Sequence, residues 1–357
     1  MEHKLTAAAD IVKYSFLQNS GSSQIDKAGL KTTNNTFGYE LSIEAGNHTV
    51  LLGINYNKES SEETTNVEML HENFQNLSRS SINFYAQDSW NIGSKFSVYY
   101  GGYLSNHYIA GTNFAPMLAI MHKLDKNNTL RIGTYTSYRN PNIFEHSMHY
   151  DQNTVASSKL TVVEDNQNLK AEHTTSYEIG FRTQHEKTYL GVDLFVNNVK
   201  DGMEWILIDP VAGAVSQPVY QTVNSLDQLI FGVEVIARYR INSALEFEGN
   251  ATFTSIENSD ANYGDGTSHG VNNIGEGRYG AQYTPPFVLN FITKYDWKIL
   301  SFNLHYQYTG AHLWQWPSWD SSTGLDRLQL KPVNDYGSLP SYKCKSNERA
   351  YTIIRRH

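Results

Sequence analysis

Apolar and polar residues alternate along most of the chain. In "KTYLGVDLFVNN" (187–198), Leu190, Val192, Leu194 and Val196 share one face, opposite Tyr189, Gly191, Asp193 and Phe195. In "TTSYEIGFRTQ" (174–184), Tyr177, Ile179 and Phe181 oppose Glu178, Gly180 and Arg182. The pattern returns in "IFGVEVIARYR" (230–240), "LEFEGNATF" (245–253) and "SFNLHYQYTG" (301–310). A period of two sustained over about ten residues predicts β-strands, and strands longer than the usual soluble ones of about five or six. Glu, Arg, Asn and Gln sit mid-strand on one face, while the other face is nearly free of charge. A soluble sandwich would have to cover that apolar face with a second layer, and no convincing amphipathic helix is available to do so. The pattern suits a wide barrel with lipid outside and a polar lumen inside.

The connections alternate in length. Short ones are expected at 46–48, 91–95, 125–128, 185–187, 242–244 and 296–298. Long polar ones are expected at 58–78, 140–171, 206–218, 256–284 and 310–338, and a shorter link at 109–113 falls in the same phase. Tight turns at one end and long loops at the other are the habit of outer-membrane barrels. The count is about 13 long strands, with a fourteenth beginning near Leu339. Aromatic clusters at 88–90, 203–205, 295–297 and 313–319 read as interfacial girdles.

Composition narrows the choices. The chain has 357 residues, 24 Tyr, 6 Trp and a net charge of −8, which disfavours a nucleic-acid partner. A single cysteine, Cys344, excludes internal disulfides and multi-cysteine metal sites. No segment reaches the roughly 18 unbroken apolar residues of a membrane helix, which leaves a β-barrel open.

The window "SYRNPNIFEHSMHYDQNT" (137–154) concentrates metal-ligand residue types: Glu145, His146, His149 and Asp151. It starts at a strand end and runs on into a long connection. Ligation needs lone pairs held on a rigid frame, and no third ligand or general base is evident on a strand nearby. We therefore assign no catalytic residue, no protein-held metal and no resident cofactor, and read the chain as a non-enzyme. The glycine-rich stretch 263–280 lacks the Lys-Ser/Thr of a phosphate loop. Glu59, Glu62 and Glu63 read as a solvated acidic loop.

Five stretches, in order, resemble the barrel of TonB-dependent outer-membrane receptors. They are "FYAQDSW" (84–90), "SYRNPNIFEH" (137–146), "NQNLKAEHTTSYEIGFR" (166–182), "LGVDLFVNNVKDGMEWI" (190–206) and "VYQTVNSLDQLIFGVEVIARYRI" (219–241). The second carries Arg139, Pro141 and Glu145. The third carries Asn166, Asn168, Leu169, Glu172, Tyr177, Glu178 and Gly180, with Gln167 and Ala171 standing where the family has proline. The resemblance implies an antiparallel transmembrane β-barrel, here incomplete, with about 13–14 strands of roughly 22. It assigns 1–342 to the barrel and leaves 343–357 as an atypical tail, frameshifted or artificial. The family's signal sequence, coupling box, plug and closing strands have no counterpart in the chain. An open run of strands is expected neither to insert nor to fold stably alone.

For function, the resemblance implies a monomeric barrel in outer-membrane lipid that takes up a scarce cargo. Uptake is energised by a periplasmic TonB-type protein acting through the parts without counterpart here. A ferric siderophore is the expected cargo. In the family's haem-uptake members a histidine lies between the two boxes, so His146 and His149 are candidate haem ligands in an alternative reading. Arg139, Glu145, Glu172 and Glu178 are expected to pair across strands and brace the wall. A passive porin or adhesin barrel and a soluble β-rich metalloprotein remain as rivals.

Overall fold

A computed structural model describes residues 1–19, 25–63, 77–153, 159–208, 219–258, 284–297, 300–310 and 349–356. Among these residues, the alternating segments and three further strands form one sheet of 16 strands. Seven strands lead: β1 (Glu2–Asn19), β2 (Ile25–Ala45), β3 (His48–Glu63), β4 (Leu77–Ile92), β5 (Phe96–His107), β6 (Gly111–Lys123) and β7 (Asn128–Arg139). A helix α1 (Ile143–Ser147) and a hairpin of β8 (Tyr150–Asn153) and β9 (Lys159–Glu164) follow. The sheet resumes with β10 (Glu172–Gln184), β11 (Thr188–Ile208), β12 (Val219–Arg240), β13 (Leu245–Asn258), β14 (Phe287–Trp297), β15 (Leu300–Thr309) and β16 (Arg349–Arg356). Each main strand pairs with the next in sequence, except that β7 joins β10 directly. β8 and β9 lie off this path. Pairing along the path is antiparallel, and β1 and β16 stand at the two ends of an open sheet.

Register sorts the two faces as the alternation predicts. One row of directly opposed residues runs Trp90–Val98–Ile120–Ile132–Ile179–Leu194–Val233–Phe253–Phe287 across nine strands. Most of these side chains are exposed: Ile132 is 53% exposed and Phe253 51%, while Val98, Val233 and Phe287 are half-buried. The opposite face carries the row Arg131–Gly180–Asp193–Glu234–Thr252. There Arg131 pairs with Glu178, and Arg182 with Asp193. Gly180 makes room for the second pair, since a Cβ on it would run into Asp193 Oδ1. At the short-turn end of this face, Arg240 reaches Glu246 (2.8 Å), and Lys294 lies 3.3 Å from Glu246 and 3.4 Å from Glu248.

The turns fall where expected. Gly46 and Gly93 adopt left-handed φ of 62° and 63° in two of the short ones, a conformation free of steric cost only for glycine. Trp90 lies on the exposed apolar face beside the short-turn end, stacked on His48 with centroids 5.5 Å apart. Residues 313–319 and the side chains of Trp205 and Trp297 lie outside the described residues, as does the fourteenth strand expected near Leu339.

Three expectations are corrected. The chain does form a helix, α1, and it lies inside the window read as a strand end plus loop. The connection 140–171 holds α1, β8 and β9, and β9 pairs in parallel with β12 through Tyr220↔Val163 and Gln221↔Glu164. The tail 343–357, set apart from the barrel as atypical, supplies β16, paired antiparallel with β15.

Candidate functional site at the long-loop end

The sheet has almost no apolar interior. Among the described residues, six hydrophobic side chains are buried: Ala115 and Ala119 on β6, and Ile143, Leu169, Ala171 and Val199 in or beside the 140–171 connection. Pro141 and Ser147 are fully buried as well. This end of the wall is therefore packed like the interior of a soluble protein, although sequence reasoning took it for an open loop.

Local chemistry explains the helix. Asn142 caps it: its Oδ1 accepts from the Glu145 amide at 3.0 Å, and the Glu145 carboxylate accepts from the Asn142 amide at 2.9 Å. This reciprocal capping box satisfies two amides that a helix start leaves without partners. A five-residue helix has little intrinsic stability, so the cap and its docking must hold it.

The family-like boxes converge around that helix. Arg139, the last residue of β7, donates to Glu145 at 2.7 Å and to Glu172 at 3.3 Å. Glu172 also accepts from the Met203 amide (3.2 Å), just past an irregularity in β11 where Asp201 takes a φ of 54°. Asn224 of β12 accepts from the Lys170 amide (2.8 Å), and donates to the Lys170 carbonyl (3.1 Å) and the Asp201 carbonyl (2.7 Å). Asn166 donates to the Thr222 carbonyl (2.9 Å) and accepts from the Asn168 amide (3.0 Å). One junction thus ties four segments together through side chains that sequence reading treated box by box. Leu169 and Ala171 are buried in the same stretch, while Gln167 is exposed and donates to Asp165. Tyr177, Glu178 and Gly180 lie apart from the junction: Tyr177 is 56% exposed on the apolar face, and the other two are on the polar face.

The candidate histidines behave differently from solvated loop residues. His146 is 7% exposed. Its Nδ1 lies 3.3 Å from Arg79 Nη1 on β4 and 2.7 Å from Ser147 Oγ. Burial, reinforced by the Arg79 charge and opposed by Asp165, pushes its pKa down from 6.5 to about 4. His149 is half-buried, and His173 faces Tyr138 with ring centroids 6.2 Å apart. The side chain of Asp151 is outside the described residues. Among the described residues no three His, Cys, Asp or Glu side chains gather as a metal-binding group.

Sequence reasoning missed what His146 leans on. Arg79 donates to Ser147 at 3.4 Å and stacks over Tyr108 at 4.7 Å from the ring centroid. Tyr108 donates to Glu59 at 2.7 Å, and burial raises its phenol pKa. Arg79, Tyr108 and Glu59, with His107 and Ser81, line a cavity of about 240 Å³ on the polar face. Arg79 and His146 are 67 residues apart, so no local spacing could announce the contact. A larger groove of about 560 Å³ lies on the opposite face, floored by Ala237, Gly249 and Ala251, and brings none of the candidate residues together.

The family profile of the TonB dependent receptor-like β-barrel matches residues 5–342. The chain belongs to that family. The ferric enterobactin receptor of Pseudomonas aeruginosa is 26% identical over 159 residues, 42% of this chain and 21% of that protein. The ferrienterobactin receptor of Escherichia coli is 24% identical over 177 residues, 48% of this chain and 24% of that protein. The crystal structure of the siderophore receptor PirA from Acinetobacter baumannii superposes with a TM-score of 0.65 at 17% identity, covering 99% of this chain and 53% of that one. The chain thus spans about half of that solved receptor, and its matches cover a quarter or less of the two curated relatives. No helix among the described residues is long and apolar enough to cross a membrane.

Proposed function

We propose that this barrel wall belongs to an outer-membrane receptor for energy-coupled uptake of a ferric siderophore. The family match over residues 5–342 carries the reading. The two curated relatives, both ferric enterobactin receptors, favour a catecholate siderophore as cargo. The apolar row meets lipid, the polar face lines the lumen, the short turns face the periplasm, and the 140–171 junction faces the medium. The receptor works by binding and gated passage, and a periplasmic TonB-type protein supplies the energy.

The alternative in which His146 and His149 hold haem is less well supported. His146 is buried, and its Nδ1 already faces Arg79 and Ser147. The chain's polar face and junction serve a receptor wall, with its Arg and Glu side chains bracing strands rather than performing chemistry.

The reading is tested by growth of iron-starved cells on ferric enterobactin as sole iron source, with the gene intact and deleted. Loss of growth on deletion, restored by the gene, is the expected result. Equal growth of both strains on every catecholate siderophore supplied would overturn it.

A further inference from the structure

The helix α1 is rooted after β7, yet it docks on Arg79 of β4, with β5 and β6 between. At about 4.8 Å per strand that reach is roughly 14 Å, so α1 leans inward over the strand ends. Its hold on the far side is polar: Arg79 Nη1 to His146 Nδ1 at 3.3 Å and Arg79 Nη2 to Ser147 Oγ at 3.4 Å. On the near side, the Asn166 amide donates to the His146 carbonyl at 3.1 Å.

The atoms set a protonation requirement. A guanidinium only donates, so His146 Nδ1 must offer a lone pair. With the neutral ring's proton on Nε2, a second proton enters at Nδ1, removes that lone pair and places a second cation against Arg79. The groups around the ring are Arg79 from β4, His107 from the end of β5, Asp165 from the link between β9 and β10, and Ser147 from α1 itself. Arg79 disfavours a charged imidazole and Asp165 favours one, and the ring is buried.

We propose that α1 is an acid-released latch at the long-loop end, in which neutral His146, with Ser147, pins the 143–147 helix to Arg79 and protonation of His146 frees it. This device stands apart from the uptake reading, which supplies only the side of the membrane on which acid would act. The depressed histidine pKa fixes the sign: docking is complete above about pH 6.5 and weakens about tenfold per pH unit as pH falls from there toward 4.

Hydrogen exchange of the amides of 143–147 and Asn166, in the intact receptor in detergent and corrected for intrinsic exchange, tests the latch between pH 7.5 and 5. Protection is expected to be flat above pH 6.5 and to fall more than tenfold by pH 5. His146→Asn, which keeps an acceptor near the Nδ1 position but does not titrate, is expected to abolish the slope. His107→Gln is expected to retain it. Flat protection in the native protein, or the same slope in His146→Asn, would overturn the proposal. Should His146→Asn lack protection at every pH, the ring titration of His146 by NMR decides: a midpoint well below 6.5 supports the latch, and one at or above 6.5 ends it.

Discussion

Placing an arginine at Ile179 tests which face meets lipid. Ile179 sits between Ile132 and Leu194 in the apolar row, about six residues along β10 from the short turn at 185–187. At about 3.3 Å per residue and a tilt near 40°, that is roughly 15 Å above the turn, close to the middle of a lipid-facing band about 25 Å tall. Arginine on the lipid face at that depth costs about 2–4 kcal/mol. Thr252 provides a control on the polar face, directly opposite Glu234. It lies about eight residues above the turn at 241–244, roughly 20 Å by the same measure and inside the same band, and an arginine there gains a carboxylate neighbour, so the expected cost is under about 1 kcal/mol. The assay is reversible denaturant unfolding of the intact receptor in lipid vesicles. Ile179→Arg within about 1 kcal/mol of the native protein, or Thr252→Arg as damaging as Ile179→Arg, would refute the assignment of faces.

Three further outcomes are expected. Asn142→Ala removes the cap of α1 at a cost of about 1 kcal/mol, so the Glu145 and His146 amides should exchange about fivefold faster; unchanged exchange would show that the cap is idle. Glu172→Ala removes the acceptor shared by Arg139 and the Met203 amide; because Arg139 is 44% exposed the loss is discounted to about 1–2 kcal/mol, read as faster proteolysis within 140–171 while the barrel stays folded. Asp125, in the short turn after β6, accepts from the Asn128 side chain and from the Asn127 and Asn128 amides, which hold its carboxyl below the usual range. That stabilisation is complete above the ordinary value of 3.8 and is lost as pH falls below it, so Asn127 and Asn128 amide protection should drop in acid, and Asp125→Asn should remove the dependence.

Much of the wall was legible because a period of two is a local signal. In "TTSYEIGFRTQ" the alternation alone placed Ile179 outward and Glu178 inward, and the register agrees. The short turns were legible for the same reason, since Gly46 and Gly93 end one run and open the next. Arg139, Glu145, Glu172 and Glu178 were expected to pair across strands as a group; Arg139 meets Glu145 and Glu172, while Glu178 pairs with Arg131. The helix was not legible, although Asn142 and Glu145 stand at capping-box spacing: five residues are too few for a helical period to show. The convergence of Asn166, Lys170, Asp201 and Asn224 escaped notice because each pairing joins residues distant in sequence. The docking of His146 on Arg79 was hidden in the same way. A histidine in a polar stretch looks solvated until the strand that covers it is known.

The central claim is that this wall encloses a path for a ferric siderophore. Accumulation of ⁵⁵Fe supplied as ferric enterobactin tests it most directly, in cells with and without the gene and with the proton gradient intact or collapsed. The account predicts uptake that requires both the gene and the gradient. Uptake unaffected by the gene, or gene-dependent uptake that persists after the gradient is collapsed, would contradict it.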